Sequence, residues 1–205
     1  MLSRPNKYDE VEVNEMDYTP IELGGHKCII KKVEQYTSQI SGKKSLKVEI
    51  DTDSTDKQPN YYQTQYDNNT NSDKKWPNGA IKYVSLGEEE TQIRMLKAFI
   101  TAVENSNSNF TFDWNKDESQ LVGKKIGGVF GYEEYQANDG TVKKATKCIN
   151  FRSIDKIKDV AIPKVKLITG EYIDYKDYKN PTSMIVENNS KDSNEIIIGD
   201  DDLPF

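Results

Sequence analysis

Lysines stand close to tyrosines and a tryptophan at several places in the chain, and these residue types together suit binding better than catalysis. Lysine ammonium groups attract phosphates, and flat aromatic rings stack on bases without reading their order. For Trp76, Tyr132 and Tyr135 a place in the core is an equally open interpretation, and any single lysine is most often solvated surface. The residues predicted to bind nucleic acid are Lys31, Lys43, Lys44, Lys47, Tyr61, Tyr62, Tyr66, Lys74, Lys75, Trp76, Tyr132, Tyr135, Lys143, Lys144 and Lys147.

The acidic cluster Asp51, Asp53 and Asp56 is a weak candidate for a metal site. A calcium loop needs glycine at its sixth position and glutamate at its twelfth, where this chain has Asp56 and Tyr62. A metal-dependent nuclease built on these aspartates is therefore the last-ranked alternative. The sequence also lacks a phosphate-cradling glycine loop and a nucleophile elbow. We predict no catalytic residue, no metal and no cofactor.

Histidine and cysteine are too scarce for the usual zinc sites, since the chain has only His26, Cys28 and Cys148. Both cysteines lie in apolar segments with the composition of strands. We therefore favour two buried thiols over a disulfide or a redox pair.

The last residues of the sequence combine acidic with apolar side chains. Three consecutive aspartates precede Leu-Pro-Phe, so an apolar side chain can enter a pocket on a partner while carboxylates meet basic residues at its rim. A solubilising acidic tail is the alternative, but it leaves the apolar residues unexplained. The residues predicted to dock partner proteins are Asp200, Asp201, Asp202, Leu203, Pro204 and Phe205.

The charge of the chain is segregated by region. This matters because a net charge of −6 taken alone argues against a nucleic-acid partner. Residues 1–23 hold two basic and six acidic side chains, and residues 159–205 hold five and ten. Residues 24–158 hold 21 basic and 18 acidic side chains, including five pairs of adjacent lysines. The middle of the chain is therefore the part predicted to bind a polyanion.

Hydrophobic periodicity predicts the elements that must position these residues. Leu46, Val48 and Ile50 alternate with polar residues, and a helical stripe of Ile93, Leu96, Ile100 and Val103 follows a capping box of Ser85 and Glu88. Asn138-Asp139-Gly140 marks a hairpin, and Gly127, Gly128 and Gly131 suggest a bulge or bend. The predicted elements are strands at Lys27–Tyr36, Ser45–Ile50 and Tyr61–Tyr66, a loop at Asp67–Lys75, a helix at Ser85–Glu104, and strands at Lys124–Tyr135 and Val142–Phe151.

This order of elements predicts a mainly β fold: a five-stranded OB-fold barrel with one α-helix between the third and fourth strands, plus a flexible acidic C-terminal tail. An α+β sheet remains open from the pattern alone. The predicted organisation is an acidic N-terminal extension (1–23), an OB-fold DNA-binding domain (24–158), an extension whose packing on the barrel the sequence leaves open (159–179), and a disordered acidic tail with a docking tip (180–205).

Two resemblances make the expectation more specific. Asp200–Phe205 resembles the C-terminal tip of bacterial single-stranded-DNA-binding proteins, which recruits replication, recombination and repair proteins. Residues Gly25–Ile168, notably Leu96–Glu104, Val129–Tyr135 and Phe151–Ser153, resemble a phage family of domains of unknown function that is usually regarded as single-stranded-DNA-binding. The bacterial proteins have a shorter DNA-binding domain and a Gly/Gln-rich linker, and their oligomeric state is not carried over.

The expected function is sequence-nonspecific binding of single-stranded DNA in phage or mobile-element replication and recombination, without enzymatic activity. The expected partners are single-stranded DNA and the proteins that dock on the tip. No segment of the sequence is apolar over the length that a membrane span requires, so we expect a cytoplasmic protein in a bacterial host. The alternative is an adaptor that binds proteins of the replication machinery and not DNA.

Overall fold

The computed structural model describes residues 3–10 and 19–179, and these form a mainly β structure. The predicted docking tip, residues 200–205, lies outside this part of the chain. Within it, seven strands form one mixed sheet, accompanied by two α-helices. The elements are β1 (Gly24–Thr37), β2 (Lys44–Thr52), α1 (Tyr61–Asn68), β3 (Ile81–Leu86), α2 (Glu90–Ser106), β4 (Lys125–Gln136), β5 (Val142–Arg152), β6 (Val165–Lys166) and β7 (Tyr172–Ile173). The mainly β class is confirmed.

The long strand β1 organises the sheet because its two halves pair with different neighbours. Its first half is antiparallel to β4, with Gly24 opposite Phe130, and its second half is antiparallel to β2, with Thr37 opposite Lys44. β2 pairs in turn with β3, and β4 pairs with β5. Among the described strands no ladder joins β3 to β5, so the hydrogen-bonded sheet is open between them.

The segment after β5 returns to the sheet. β4 continues beyond Phe130, which stands opposite the first residue of β1. On that side β6 is its parallel neighbour, with Lys166 opposite Glu133. β7 pairs antiparallel with β6. The sheet therefore has two strands more than the five that the sequence predicts.

The core lies between the sheet and α2, which packs against β3, β4 and β5. Leu46, Val48 and Ile50 are buried on one face of β2, as their alternation predicts. The hairpin at residues 138–140 is confirmed, and β4 and β5 shift register between Val129 and Phe130, close to the predicted bulge.

The helix α2 differs from its prediction at its start. Ser85 belongs to β3, and the helix begins at Glu90 without a side-chain cap, so the predicted capping box is wrong. Ile100 and Val103 of the predicted apolar stripe are buried, but Ile93 is 50% exposed. β3 was not predicted, because its first four residues were assigned to no element and its last two, Ser85 and Leu86, to the helix.

The predicted third strand at Tyr61–Tyr66 is wrong, because these residues form α1. The first N–H groups of a helix have no partner within the helix and need acceptors from elsewhere. Asp51 Oδ1 accepts from the N–H groups of Tyr62 at 2.9 Å and Gln63 at 3.3 Å, and Thr52 Oγ1 accepts from that of Tyr61 at 2.9 Å. Two buried side chains at the end of β2 thus cap a helix ten residues downstream.

Both cysteines are buried free thiols, as predicted. Burial raises the pKa of Cys148 to about 12 and that of Cys28 well above its ordinary value, so neither is a reactive thiolate at neutral pH. Within residues 3–10 and 19–179, neither helix has the length and apolar composition that crossing a bilayer requires.

We predict that Asp51→Ala destabilises the protein while Asp51→Asn retains most of its stability. Alanine leaves buried N–H groups without an acceptor, at about 1–3 kcal/mol for each. Burial raises the pKa of Asp51 although the N–H groups of Tyr62, Gln63 and Thr52 donate to it, so its negative charge is costly to bury. Asparagine keeps an oxygen acceptor at this position without that charge. Urea unfolding measures both variants, and an Asp51→Ala protein as stable as the wild type would contradict the capping role.

Candidate nucleic-acid interface

Three predicted residues meet where α1 passes into the following loop. The rings of Tyr66 and Trp76 lie 5.5 Å apart between centroids, and Lys74 Nζ lies 4.6 Å from the centroid of Tyr66. Trp76 Nε1 donates a hydrogen bond to the Ile50 carbonyl oxygen at 3.0 Å, which fixes the indole by its edge. Tyr66, Lys74 and Trp76 are all half-buried, so each keeps part of its surface in solvent.

A second group of predicted residues lies on the β4–β5 hairpin. Lys144 Nζ lies 4.2 Å from the centroid of the Tyr132 ring. Tyr175 and Tyr178 extend this aromatic surface, with ring centroids 5.9 and 6.2 Å from that of Tyr132. Burial, reinforced by the carboxylate of Glu134, raises the pKa of Tyr178 to about 12, so its hydroxyl adds no negative charge.

A tight turn at residues 78–80 joins these two groups. Gly79 packs so closely on β5 that a Cβ at this position would lie 2.5 Å from the Thr146 carbonyl oxygen and 3.2 Å from Tyr62 Oη. Thr146 stands opposite Tyr132 in the β4–β5 ladder. The turn therefore follows the first group in the chain and packs on β5, the strand that carries Lys144 of the second group. We name the two groups together the aromatic cradle: Tyr66, Lys74, Trp76, Tyr132 and Lys144.

Other predicted aromatic residues have different environments. Tyr62 is 3% exposed and its ring stacks on Phe130 in the core, so it is not available to a ligand and that prediction is wrong. Tyr61 is half-buried, and its hydroxyl accepts a hydrogen bond from the Ile21 N–H at 2.9 Å. Tyr135 is half-buried on β4, opposite Lys143.

Some of the predicted lysines are exposed, and others are paired with carboxylates. Lys43 and Lys44 are exposed at the β1–β2 hairpin, Lys31 is exposed where β1 shifts register, and Lys75 is exposed beside Lys74. The lysines paired at 3.0 to 3.6 Å are Lys47 with Glu49 and Glu34, Lys147 with Glu133, and Lys143 with Asp139. These three lysines are locally neutralised and contribute less to attracting a polyanion.

Two tyrosines that were not predicted from the sequence form a pair on the outer face of the sheet. Tyr36 of β1 and Tyr83 of β3 are 40% and 42% exposed, and their ring centroids lie 5.2 Å apart. Tyr83 stands opposite Lys47 in the β2–β3 ladder. The pair is visible only once β3 is placed beside β2, although the exposed-face position of Tyr36 follows from the alternation in β1.

The three aspartates of the acidic cluster have separate structural roles. Asp51 caps α1, and Asp53 accepts from the Thr55 N–H at 2.9 Å and pairs with Lys125 at 3.3 Å. Asp56 is treated below because it forms a buried pair. In the described part of the chain, no group of three histidine, cysteine, aspartate or glutamate side chains is placed to hold a metal ion.

Asp56 and His26 form a buried hydrogen-bonded pair that fastens the loop after β2 to the start of β1. Asp56 Oδ1 lies 2.8 Å from His26 Nδ1, and His26 Nε2 lies 3.0 Å from the Glu22 carbonyl oxygen. Asp56 Oδ2 also accepts from the Lys27 N–H at 2.7 Å. Burial raises the pKa of Asp56, but these hydrogen bonds outweigh it and hold the pKa below the ordinary aspartate value. The only histidine is thus structural.

Comparison with known proteins gives no match, either to a family model or to a curated protein sequence. The function therefore has to be argued from the surface of this chain. That surface offers aromatic rings with lysines over their faces, whereas its buried carboxylates are occupied within the fold.

We predict that Gly79→Ala destabilises the protein and disturbs the emission of Trp76, because the new Cβ collides with a backbone oxygen that cannot move alone. Overpacking of this kind costs about 1–3 kcal/mol. Gly87→Ala is the matched control, since its Cβ meets only the mobile amide end of Gln92. Thermal unfolding compares the two, and equal stability of both variants would show that the turn does not depend on this close approach.

Proposed function

We propose that the protein binds single-stranded nucleic acid without sequence preference, through the aromatic cradle. The observation that carries this proposal is the pair of lysine ammonium groups over tyrosine faces, at 4.6 and 4.2 Å. A single strand alternates flat bases with phosphates at short intervals. A base that stacks on Tyr66 or Tyr132 displaces the lysine from the ring toward the neighbouring phosphate. The tyrosine of each pair then contacts a base and the lysine contacts a phosphate.

The geometry favours a single strand over a duplex. In a duplex the faces of the bases are already stacked on each other, so exposed rings gain contact only with unpaired bases. Tyr36 and Tyr83 supply two further exposed rings, next to the Lys43–Lys44 hairpin. We include this outer-face pair in the interface as a second stacking surface.

The fold proposed for this activity is an OB-type barrel made of β1 to β5. The strand order β3-β2-β1-β4-β5 and the position of α2 between β3 and β4 support it. OB-folds are partly open barrels that bind oligonucleotides over strands 2 and 3 and the adjoining hairpin loops. The open edge between β3 and β5 is compatible with this class.

The biological setting is proposed from the resemblances stated above. We assign the protein to phage or mobile-element replication and recombination in the cytoplasm of a bacterial host, without enzymatic activity. Residues 200–205 would recruit replication, recombination or repair proteins while the barrel holds DNA. An adaptor that binds proteins alone is the alternative, and the two differ in whether residues 19–179 bind DNA.

Tryptophan fluorescence separates the cradle from the rest of the surface. The chain has two tryptophans, and Trp114 is 71% exposed in a loop outside the cradle. We predict that poly(dT) quenches the emission of a Trp114→Phe protein as strongly as that of the wild type. A Trp76→Phe protein retains the affinity, because phenylalanine still stacks, but loses the quenching. If the quenching is lost in the Trp114→Phe protein and kept in the Trp76→Phe protein, the strand binds outside the cradle.

The affinity measurement tests the proposal itself. Tyr66→Ala and Tyr132→Ala are each expected to weaken binding by the equivalent of about 1–3 kcal/mol, which is the contribution of one stacked base. The affinity also falls with rising salt, because binding a strand releases its counterions. No binding by the wild type at low salt would refute the proposal.

Deletion of residues 200–205 tests the role of the docking tip. We predict that the shortened protein binds single strands with unchanged or higher affinity, because three negative charges are removed, and that it no longer captures replication proteins from a host extract. The matched control replaces Leu203 and Phe205 by alanine and keeps the aspartates. Loss of partner capture without any DNA binding by either protein would select the adaptor.

A further inference from the structure

A cleft of about 370 Å³ lies between α2 and the C-terminal end of β5, at the other end of β5 from the 138–140 hairpin. Its floor is apolar: Ala98 of α2 is exposed, and Ala102 of α2 and Phe151 of β5 are buried beneath it. Four cations surround the floor. They are Arg94 and Lys97 on α2, Arg152 at the end of β5, and Lys156 in the turn that follows.

The charge around this cleft is unbalanced. No acidic side chain lines it. Arg94 pairs with Glu90 on the exposed side of α2, but Lys97, Arg152 and Lys156 pair with no carboxylate of residues 3–10 and 19–179. This contrasts with the lysines at the other end of β5, where Lys143 and Lys147 each have a carboxylate partner. Several like charges around one concavity favour an anionic ligand.

The position of the cleft on β5 indicates which anion. Lys144 of the aromatic cradle and Arg152 at the cleft stand eight residues apart on the same strand, which at the usual rise places them roughly 26 Å apart. A polyanion leaving the cradle can follow β5 to the cleft, whereas a short acidic peptide would engage one of the two sites.

We propose that the cleft is a second nucleic-acid site, which holds one nucleotide of the strand that the cradle binds. The phosphates lie against Lys97, Arg152 and Lys156, and the base or sugar contacts Ala98, which is exposed. Phe151 is only 7% exposed, so no aromatic face is offered for stacking and the site adds charge contacts without sequence preference. This inference rests on the proposed function and deepens it, because it sets the direction of the strand's path and a minimum length of bound strand.

Strand length distinguishes the two sites. The test compares oligothymidylates of about 5 and about 20 residues, below and above most of the ~4–16 nucleotides that an OB-fold covers. The variant is Arg152→Ala combined with Lys156→Ala, both exposed positions. We expect it to bind the long strand about tenfold more weakly and the short strand as the wild type does. Its salt slope for the long strand should be shallower by about 1.4, for two lost phosphate contacts.

The control variant combines Lys7→Ala with Lys116→Ala, which removes the same charge from other exposed positions. Equal binding of the long strand by the wild type and the cleft variant overturns the inference and leaves the proposed function intact. If the cleft substitutions weaken binding of the short and the long strand equally, the inference is also overturned, since the cleft would then act through the cradle. A wild type that binds neither strand refutes the proposed function itself. If a peptide of sequence Asp-Asp-Asp-Leu-Pro-Phe binds in a way that the cleft substitutions abolish, while DNA binding is unchanged, the cleft is a protein-docking site.

Discussion

Buried polar side chains at the end of β2 impose the constraint on which the rest of this structure depends. Asp51, Thr52 and Asp53 are all at most 5% exposed, and a buried hydrogen-bonding group without a partner is costly. The chain satisfies them by turning back and presenting the first N–H groups of α1 to Asp51 and Thr52. That turn sends Tyr62 into the core and leaves Tyr66 and the Trp76 loop at the surface. The part of the aromatic cradle formed by Tyr66, Lys74 and Trp76 is therefore a consequence of how one strand ends.

The same constraint explains what the sequence could and could not predict. Alternation of apolar and polar residues predicted β2, because one of its faces lies in the core, and the hairpin signal at residues 138–140 predicted the pair β4 and β5. Tyr61–Tyr66 has the aromatic composition of a strand, and the groups that make it helical belong to another element. The hydrogen bonds that Asp51 and Thr52 offer to the first turn of α1 outweigh the strand propensity of Tyr61–Tyr66. β3 was not predicted because it is short. The contact between Tyr83 and Tyr36 was therefore missed as well, since it depends on how neighbouring strands are placed.

The site illustrates why net charge is a poor guide to the partner of this protein. Most of the lysines on β2 and the β4–β5 hairpin are neutralised by nearby carboxylates, so residue counts overstate their attraction for phosphates. Other cations stand beside apolar or aromatic surface, at the cradle and at the α2 cleft. For the proposed function, local pairing therefore matters more than the overall charge of −6.

The central claim is that exposed rings and nearby cations select an unpaired strand. A gel-shift titration with a single-stranded oligonucleotide and its duplex, each at low and at moderate salt, tests this most directly. The account predicts tight binding of the single strand that weakens steeply with salt, and much weaker binding of the duplex at both salt concentrations. Equal affinity for the two forms, or no binding of the single strand at low salt, would contradict it.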